Sequence, residues 1–168
     1  MILRLATDDD CEWFWKLAME PSVREMSVRS ESFTYAEHEQ WWARRAHEAD
    51  TRIYVGLDEP TEVRYDSGEV VETLHRTRVG HLRFGRVSGT TDAEIAISVE
   101  PYYRGRGHAT DLLRQGEPLA REALGVDRFV ALVLVENTAS RKLFENSGYQ
   151  FIGWETRMKK QCRKYVKR

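Results

Sequence analysis

The chain has 168 residues, 41% of them apolar and 32% charged, which is the size and make-up of one globular domain with a single core. A formal net charge of -1 removes any whole-molecule attraction to nucleic acid or to a membrane surface, and neither is expected as a partner. No apolar run approaches the roughly 20 residues of a membrane span, the N-terminus has no signal-peptide pattern, and Cys11 and Cys162 are too few and too far apart for a disulfide framework or a metal site; a reduced, cytoplasmic, metal-free protein is the expectation.

Ile2 to Ala6 alternates as a short strand. Thr7 to Asp10 then supplies helix-capping side chains before a helical run from Cys11 to Glu20, and Pro21 is expected to close that element. A polar stretch follows, until the capping box Thr34-x-x-Glu37 opens a helix to about Ala49. Arg52 to Leu57 and Val79 to Val87 alternate as strands, whereas Ala93 to Val99 is more continuously apolar, as a central strand should be. Between the first two lies Glu59 to Arg78, read as a loop or protruding hairpin around the turn signal Asp66-Ser67-Gly68.

The stretch from Glu94 to Leu113 carries the most chemistry. An extended run ends at Pro101, two glycines stand among basic residues (Arg104-Gly105-Arg106-Gly107), and a helix begins with Ala109, Leu112 and Leu113 on its inner side. A strand that delivers glycines to a helix N-terminus makes a cradle of free N–H groups suited to a phosphate or pyrophosphate. Pro118 lies inside the helical pattern and is expected to kink or break it, and Gly125 ends it. Phe129 to Val135 reads as a buried strand, Thr138 to Ser147 as a short helix closed by Gly148, and Tyr149 to Trp154 as another strand. The last twelve residues hold seven Lys or Arg, and are read as a solvated final strand with Met158, Cys162, Tyr165 and Val166 partly inward; a patch attracting an anionic substrate or a ribosome is the alternative. This order of elements argues for one mixed α/β sandwich around a single sheet.

Two glycine loops are excluded. No Gly-x-x-x-x-Gly-Lys-Ser/Thr string exists, and Gly105-x-Gly107 has Thr110 where a dinucleotide fingerprint needs its third small residue. What remains is Arg104-x-x-Gly107-x-Ala109 after Val99-x-Pro101, with Glu136-Asn137-Thr138-Ala139-Ser140-Arg141-Lys142-Leu143-Phe144-Glu145-Asn146-Ser147-Gly148-Tyr149 downstream. The first block resembles the acetyl-coenzyme A signature of the Gcn5-related N-acetyltransferases, and the second resembles that family's asparagine–helix–glycine–aromatic block. The resemblance is firm over residues 80–155 and loose over the N-terminal half. It implies a single domain over 1–168, built on a mostly antiparallel mixed sheet of six or seven strands with about four helices, and acetyl transfer from acetyl-coenzyme A to a primary amine. A non-catalytic module that binds an acyl-coenzyme A is the alternative from another class, and a homodimer is left open.

The resemblance also implies roles. The N–H groups of Arg104, Gly105, Arg106, Gly107, His108, Ala109 and Thr110 would face the pyrophosphate, and the backbone of Ile97, Ser98 and Val99 would meet the pantetheine arm, with a β-bulge there aiming an N–H at the thioester oxygen. Asn137 would contact the arm or cap the helix that contains Ser140, or do both. A base must take the amine's proton. Glu94 is the first candidate and His81 the second. The family's usual tyrosine acid is replaced by Phe144, which has no proton to give, and Tyr149 is the remaining candidate. The acceptor side holds Trp13, Trp15, Arg24, Arg29, Phe33, Tyr35, His38, Trp41 and Trp42, of which Arg29, Phe33 and Trp41 are the candidate substrate contacts. The outline from Pro21 to Trp41 is similar to acetyltransferases of nucleotide-linked amino sugars, and also to enzymes that acetylate the N-termini of ribosomal proteins.

Overall fold

The computed structural model describes residues 1–58, 62–64, 70–73 and 76–168, with backbone alone for 62–64 and 70–73. Seven strands, β1 (Ile2–Leu5), β2 (Thr51–Leu57), β5 (Arg78–Arg86), β6 (Asp92–Val99), β7 (Arg128–Leu134), β8 (Gln150–Arg157) and β9 (Lys160–Lys167), form one sheet in the order β1-β2-β5-β6-β7-β9-β8. Only β6 and β7 run parallel; every other neighbouring pair is antiparallel. The short strands β3 (Glu62–Arg64) and β4 (Val70–Thr73) pair antiparallel with each other, and the turn signal at Asp66-Ser67-Gly68 lies outside the described residues.

Alternation along the strands sends side chains to two faces. Leu82 and Phe84 of β5, Ala93 and Ile95 of β6, and Phe129, Ala131 and Val133 of β7 face α4 (His108–Leu124) and α5 (Thr138–Asn146), and build the main core with Leu113, Ala120, Leu124 and Phe144. The other face is covered over β2 and β5 by α1 (Cys11–Met19) and α3 (Tyr35–Arg45), where Cys11, Phe14, Trp42 and Ile53 form a smaller core. Asp10, fully buried ahead of α1, accepts from Arg4 at 2.6 and 2.8 Å and from Arg78 at 2.7 Å, and so ties β1 and β5 to that helix.

One expectation is corrected and two are extended. The first helix does close before Pro21, at Met19, and Pro21 then begins α2 (Pro21–Glu25), because a proline at the first helical position lacks only an N–H that would be unpaired anyway. Pro118 does not break α4, which runs unbroken for 17 residues. Gly116 helps to fix that helix on the sheet, since a Cβ there would collide with the Cδ2 of Leu82. The basic tail forms the expected final strand with Cys162 and Tyr165 inward, both fully buried, and as β9 it lies inside the sheet between β7 and β8.

Candidate active site

The two strands at the centre of the sheet separate. β6 and β7 are paired only from Asp92–Arg128 to Ile95–Ala131, yet β6 continues to Val99 and β7 to Leu134. From Ala96 to Val99, including Ile97, Ser98 and Val99, β6 therefore has no strand on its β7 side, and its backbone can pair with an extended ligand. Parting of the two strands creates this edge, and no bulge is involved: the β5–β6 register runs without a shift from Gly80–Val99 to Arg86–Ala93.

Beyond Val99 the chain turns through Pro101–Tyr103 and enters α4 with Gly105 at φ 73° and Gly107 at φ 85°. Both conformations are left-handed, which glycine adopts without cost. The first helical bond is from the N–H of Asp111 to the carbonyl of Gly107, so six consecutive N–H groups, Gly105 to Thr110, have no partner among the described residues. They converge at the positive end of a 17-residue helix. His108, whose Nδ1 is buried without a partner, stands edge-on to Tyr103 at 5.6 Å. Arg106 is exposed and lies 4.5 Å over the Tyr102 ring. Arg104 turns away from the cradle: its Nε donates to the carbonyl of Val99 at 3.1 Å and its other nitrogen to Ser22 Oγ at 2.9 Å. Asn137 caps α5 by accepting from the N–H of Ser140 at 3.0 Å, and its amide donates to the carbonyl of Met26 at 3.4 Å.

The catalytic candidates separate by face. Glu94 is half-exposed on the α1 and α3 side of β6, where Arg157 donates to it at 3.3 Å and to Glu155 at 2.7 Å. Its Cα is three residues from that of Ile97, about 10 Å along a strand, so a proton must travel between Glu94 and that edge through water. His81 shares this face and pairs with Ser98, but it is 5% exposed and stacked on Phe14 at 3.8 Å, with Nδ1 unpartnered. Burial, with help from Arg83 and His38, pushes its pKa down to about 3, so the imidazole stays neutral and cannot hold a proton taken from an ammonium near neutral pH. Tyr149 faces the opposite core. It is buried against Phe144 and donates its hydroxyl to Glu117 at 2.8 Å, and burial followed by that carboxylate raises its pKa, so it is not disposed to give up a proton.

The segment between α2 and α3 is strapped across the face that carries Glu94. Lys160 donates to the carbonyl of Ser27 at 3.1 Å and to Ser30 at 2.7 Å; Trp15 donates to the carbonyl of Phe33 at 3.2 Å; and Arg24 donates to the carbonyls of Arg29 and Glu31 while lying 5.2 Å over the Phe33 ring. Phe33, His38 and Trp41 stack in succession at 6.0 and 5.5 Å. Trp13 and Trp42 are tied into the scaffold through Glu100 and Asp8. A cavity of about 430 Å³ opens nearby between Glu25, Met26, Leu134, Val135, Glu136, Lys160 and Gln161. A larger hollow, about 700 Å³, follows α4 from Thr110 to Glu122, and Thr110 is its one candidate residue.

Sequence reasoning passed over Arg83. It sits in mid-strand on β5 with its guanidinium 5.5 Å over Trp41, on the face shared by His81 and Glu94. Burial lowers its pKa, Glu94 acts against that, and Arg45 and Arg29 add to it. The signal was present, because the alternation of Val79 to Val87 puts His81 and Arg83 on one side and Leu82 and Phe84 on the other.

A model of the acetyltransferase (GNAT) domain matches residues 1–150, and the chain belongs to that family. No curated protein matches it. Among solved structures, a spermidine N-acetyltransferase from Vibrio cholerae in complex with CoA and spermine is similar at a TM-score of 0.77 and 17% identity, over 98% of this chain and 93% of that one. A domain from Methanocaldococcus jannaschii is similar at 0.72 and 22% identity, over 98% and 96%. At such identities these likenesses establish the fold, a mixed α/β sandwich on a mostly antiparallel seven-stranded sheet. The protein is an N-acetyltransferase with acetyl-coenzyme A as donor. The cradle fits that molecule on its own evidence: six free N–H groups suit a pyrophosphate, and the open edge of β6 suits the amide-bearing arm.

Proposed function

We propose that the acceptor is the primary amine of a small molecule, namely an amino sugar carried on a nucleotide. The observation that carries this reading is the corner where Phe33 and Trp41 lie beside Arg24, Arg29 and Arg83, since flat rings and guanidinium forks suit a base and a pyrophosphate. The similar spermidine N-acetyltransferases are named for a small amine, which supports a small-molecule acceptor over a protein N-terminus.

Acetyl-coenzyme A supplies the acetyl thioester. On the chain's side, the N–H groups from Gly105 to Thr110 hold the pyrophosphate, the β6 edge at Ile97 to Val99 aligns the arm, and Asn137 positions the start of α5 beside it. Glu94 takes the amine's proton through water, with Arg157 holding the carboxylate in place. No acid is required of Phe144 or Tyr149, because an ordinary thiol pKa of about 8.5 lets the thiolate depart near neutral pH. We read residues 1–168 as one cytoplasmic domain that works alone or as a homodimer.

Thiol release from acetyl-coenzyme A, measured over UDP- and TDP-amino sugars, N-terminal peptides and spermidine, tests the reading. Turnover should be highest with a nucleotide-linked sugar and should fall at least ~100-fold in Glu94→Gln with the KM for acetyl-coenzyme A unchanged. Preference for a peptide N-terminus would replace the acceptor, and an unaltered rate in Glu94→Gln would remove that residue from the mechanism.

A further inference from the structure

Deepening the acceptor reading just given, we infer that the face of the sheet carrying Glu94 contains a second anion site, centred on Arg83 and Arg29, which binds a phosphate or carboxylate of the acceptor. The cradle before α4 holds the anion of the donor; this site would hold an anion of the other substrate.

Arg83 is the central observation. Among the described residues no carboxylate lies within ion-pair distance of it and no acceptor hydrogen-bonds it; its one close partner is the Trp41 ring at 5.5 Å. A guanidinium carries five donors, and leaving them unmatched in a half-buried place is costly unless a ligand supplies the acceptors. The groups facing it are of the wrong sign for internal pairing. Arg29 and Arg45 add to its positive surroundings, and Arg45 already bonds Glu48 at 2.6 Å. Two carboxylates of the sheet on this face are taken, Glu94 by Arg157, and Glu155 by Arg157 and Lys164. Arg29 is exposed on the strap, its backbone carbonyl held by Arg24 at 2.8 Å, and its charge is felt at Arg83. Arg24 lies over Phe33, and its Nε is buried without a partner.

Around Arg83 the arrangement disfavours a polycation. A polyamine placed there would meet arginines rather than unpaired carboxylates, and like charges in contact weaken binding.

The test uses matched ligands on protein saturated with coenzyme A, so that the cradle is filled. Calorimetric titrations compare glucosamine 6-phosphate with glucosamine, an alanyl tripeptide with its C-terminal amide, and spermidine. At least one anionic member should bind about tenfold or more tightly than its neutral match, the pair that responds distinguishing phosphate from carboxylate, and spermidine should bind more weakly than either. Arg83→Gln should bring the members of that pair to within about twofold while the Kd for coenzyme A stays unchanged. Arg29→Gln, on an exposed loop, supplies the same readout should Arg83→Gln fail to fold. Equal binding within both pairs, tighter binding of spermidine, or indifference to both substitutions would overturn the anion site. Thiol release with the same ligands separates this from the acetyl-transfer reading: turnover without anion preference removes the second site alone, and anion-dependent binding without turnover removes those amines as acceptors alone.

Discussion

At the scale of single residues, burial sets charge states that bear on both function and stability. His81 is held neutral by its place between Phe14 and the sheet, with Trp13, His38 and Arg83 around it. Its pKa of about 3 in the fold lies below the ordinary 6.5, so between those values the unfolded chain binds a proton that the folded one refuses. Stability contributed by the neutral ring is complete above pH 6.5 and drains away as the pH falls toward 3, by about 1.4 kcal/mol per pH unit where the difference is a full proton. Denaturant midpoints from pH 7 to pH 4 should fall accordingly, and His81→Phe should flatten the slope; an unchanged slope would locate the acid sensitivity elsewhere. Asp10 works in the opposite sense. Burial alone would raise its pKa, but Arg4, the N–H of Thr7 and Arg78 hold it at about 2, so it stays charged in ordinary buffers. Asp10→Asn leaves two arginines without their shared partner and should cost roughly 3–5 kcal/mol in chemical unfolding; a loss below 1 kcal/mol would mean that solvent replaces the carboxylate.

Among the elements, the least legible in the sequence was the last hairpin. β8 and β9 are joined across Arg157–Lys160 by Met158 at φ 51° and Lys159 at φ 61°. Two-residue turns of this kind favour Asn-Gly, and side chains with a Cβ are strained there by about 1–2 kcal/mol each. With no glycine or asparagine to mark the turn, the sequence did not show that the strand pairs on both sides. Cys162 and Tyr165 were legible as inward residues, among lysines whose charged ends reach water from an interior strand. Replacing Met158-Lys159 by Asn-Gly should raise stability by about 1–2 kcal/mol and the Tm by a few degrees, readable by calorimetry; no gain would mean that the native turn is unstrained. By contrast, the α3 capping box was plain because it is a local pattern: Thr34 and Glu37 bond each other's backbone, at 3.2 and 2.7 Å. Pro21 marked the end of α1 correctly, at Met19, but the short helix that begins on the proline carries no such local signal.

Over the whole molecule, function depends on a sheet that opens at its centre and is closed by its last strand. Removing residues 158–168 would strip β9 from between β7 and β8 and uncover both. Such a truncation should lose its near-UV circular dichroism and its coenzyme A binding together; a truncated chain that still binds would show that the fold holds the donor without β9. The sequence by itself determined the donor cradle, because six unpaired N–H groups follow from a local order of strand, glycines and helix, and that order is written in consecutive residues. It also determined the mixed α/β class, through the periods of its apolar residues. Only the tertiary structure decided the rest. The parting of β6 from β7 replaced the expected bulge, the two faces separated Glu94 from Tyr149, and Arg83, Arg29 and Trp41 came into one corner from three elements. Such meetings depend on strand order and on which face each side chain takes, and residues that are 54 positions apart, as Arg29 and Arg83 are, carry no mark of each other in a linear chain.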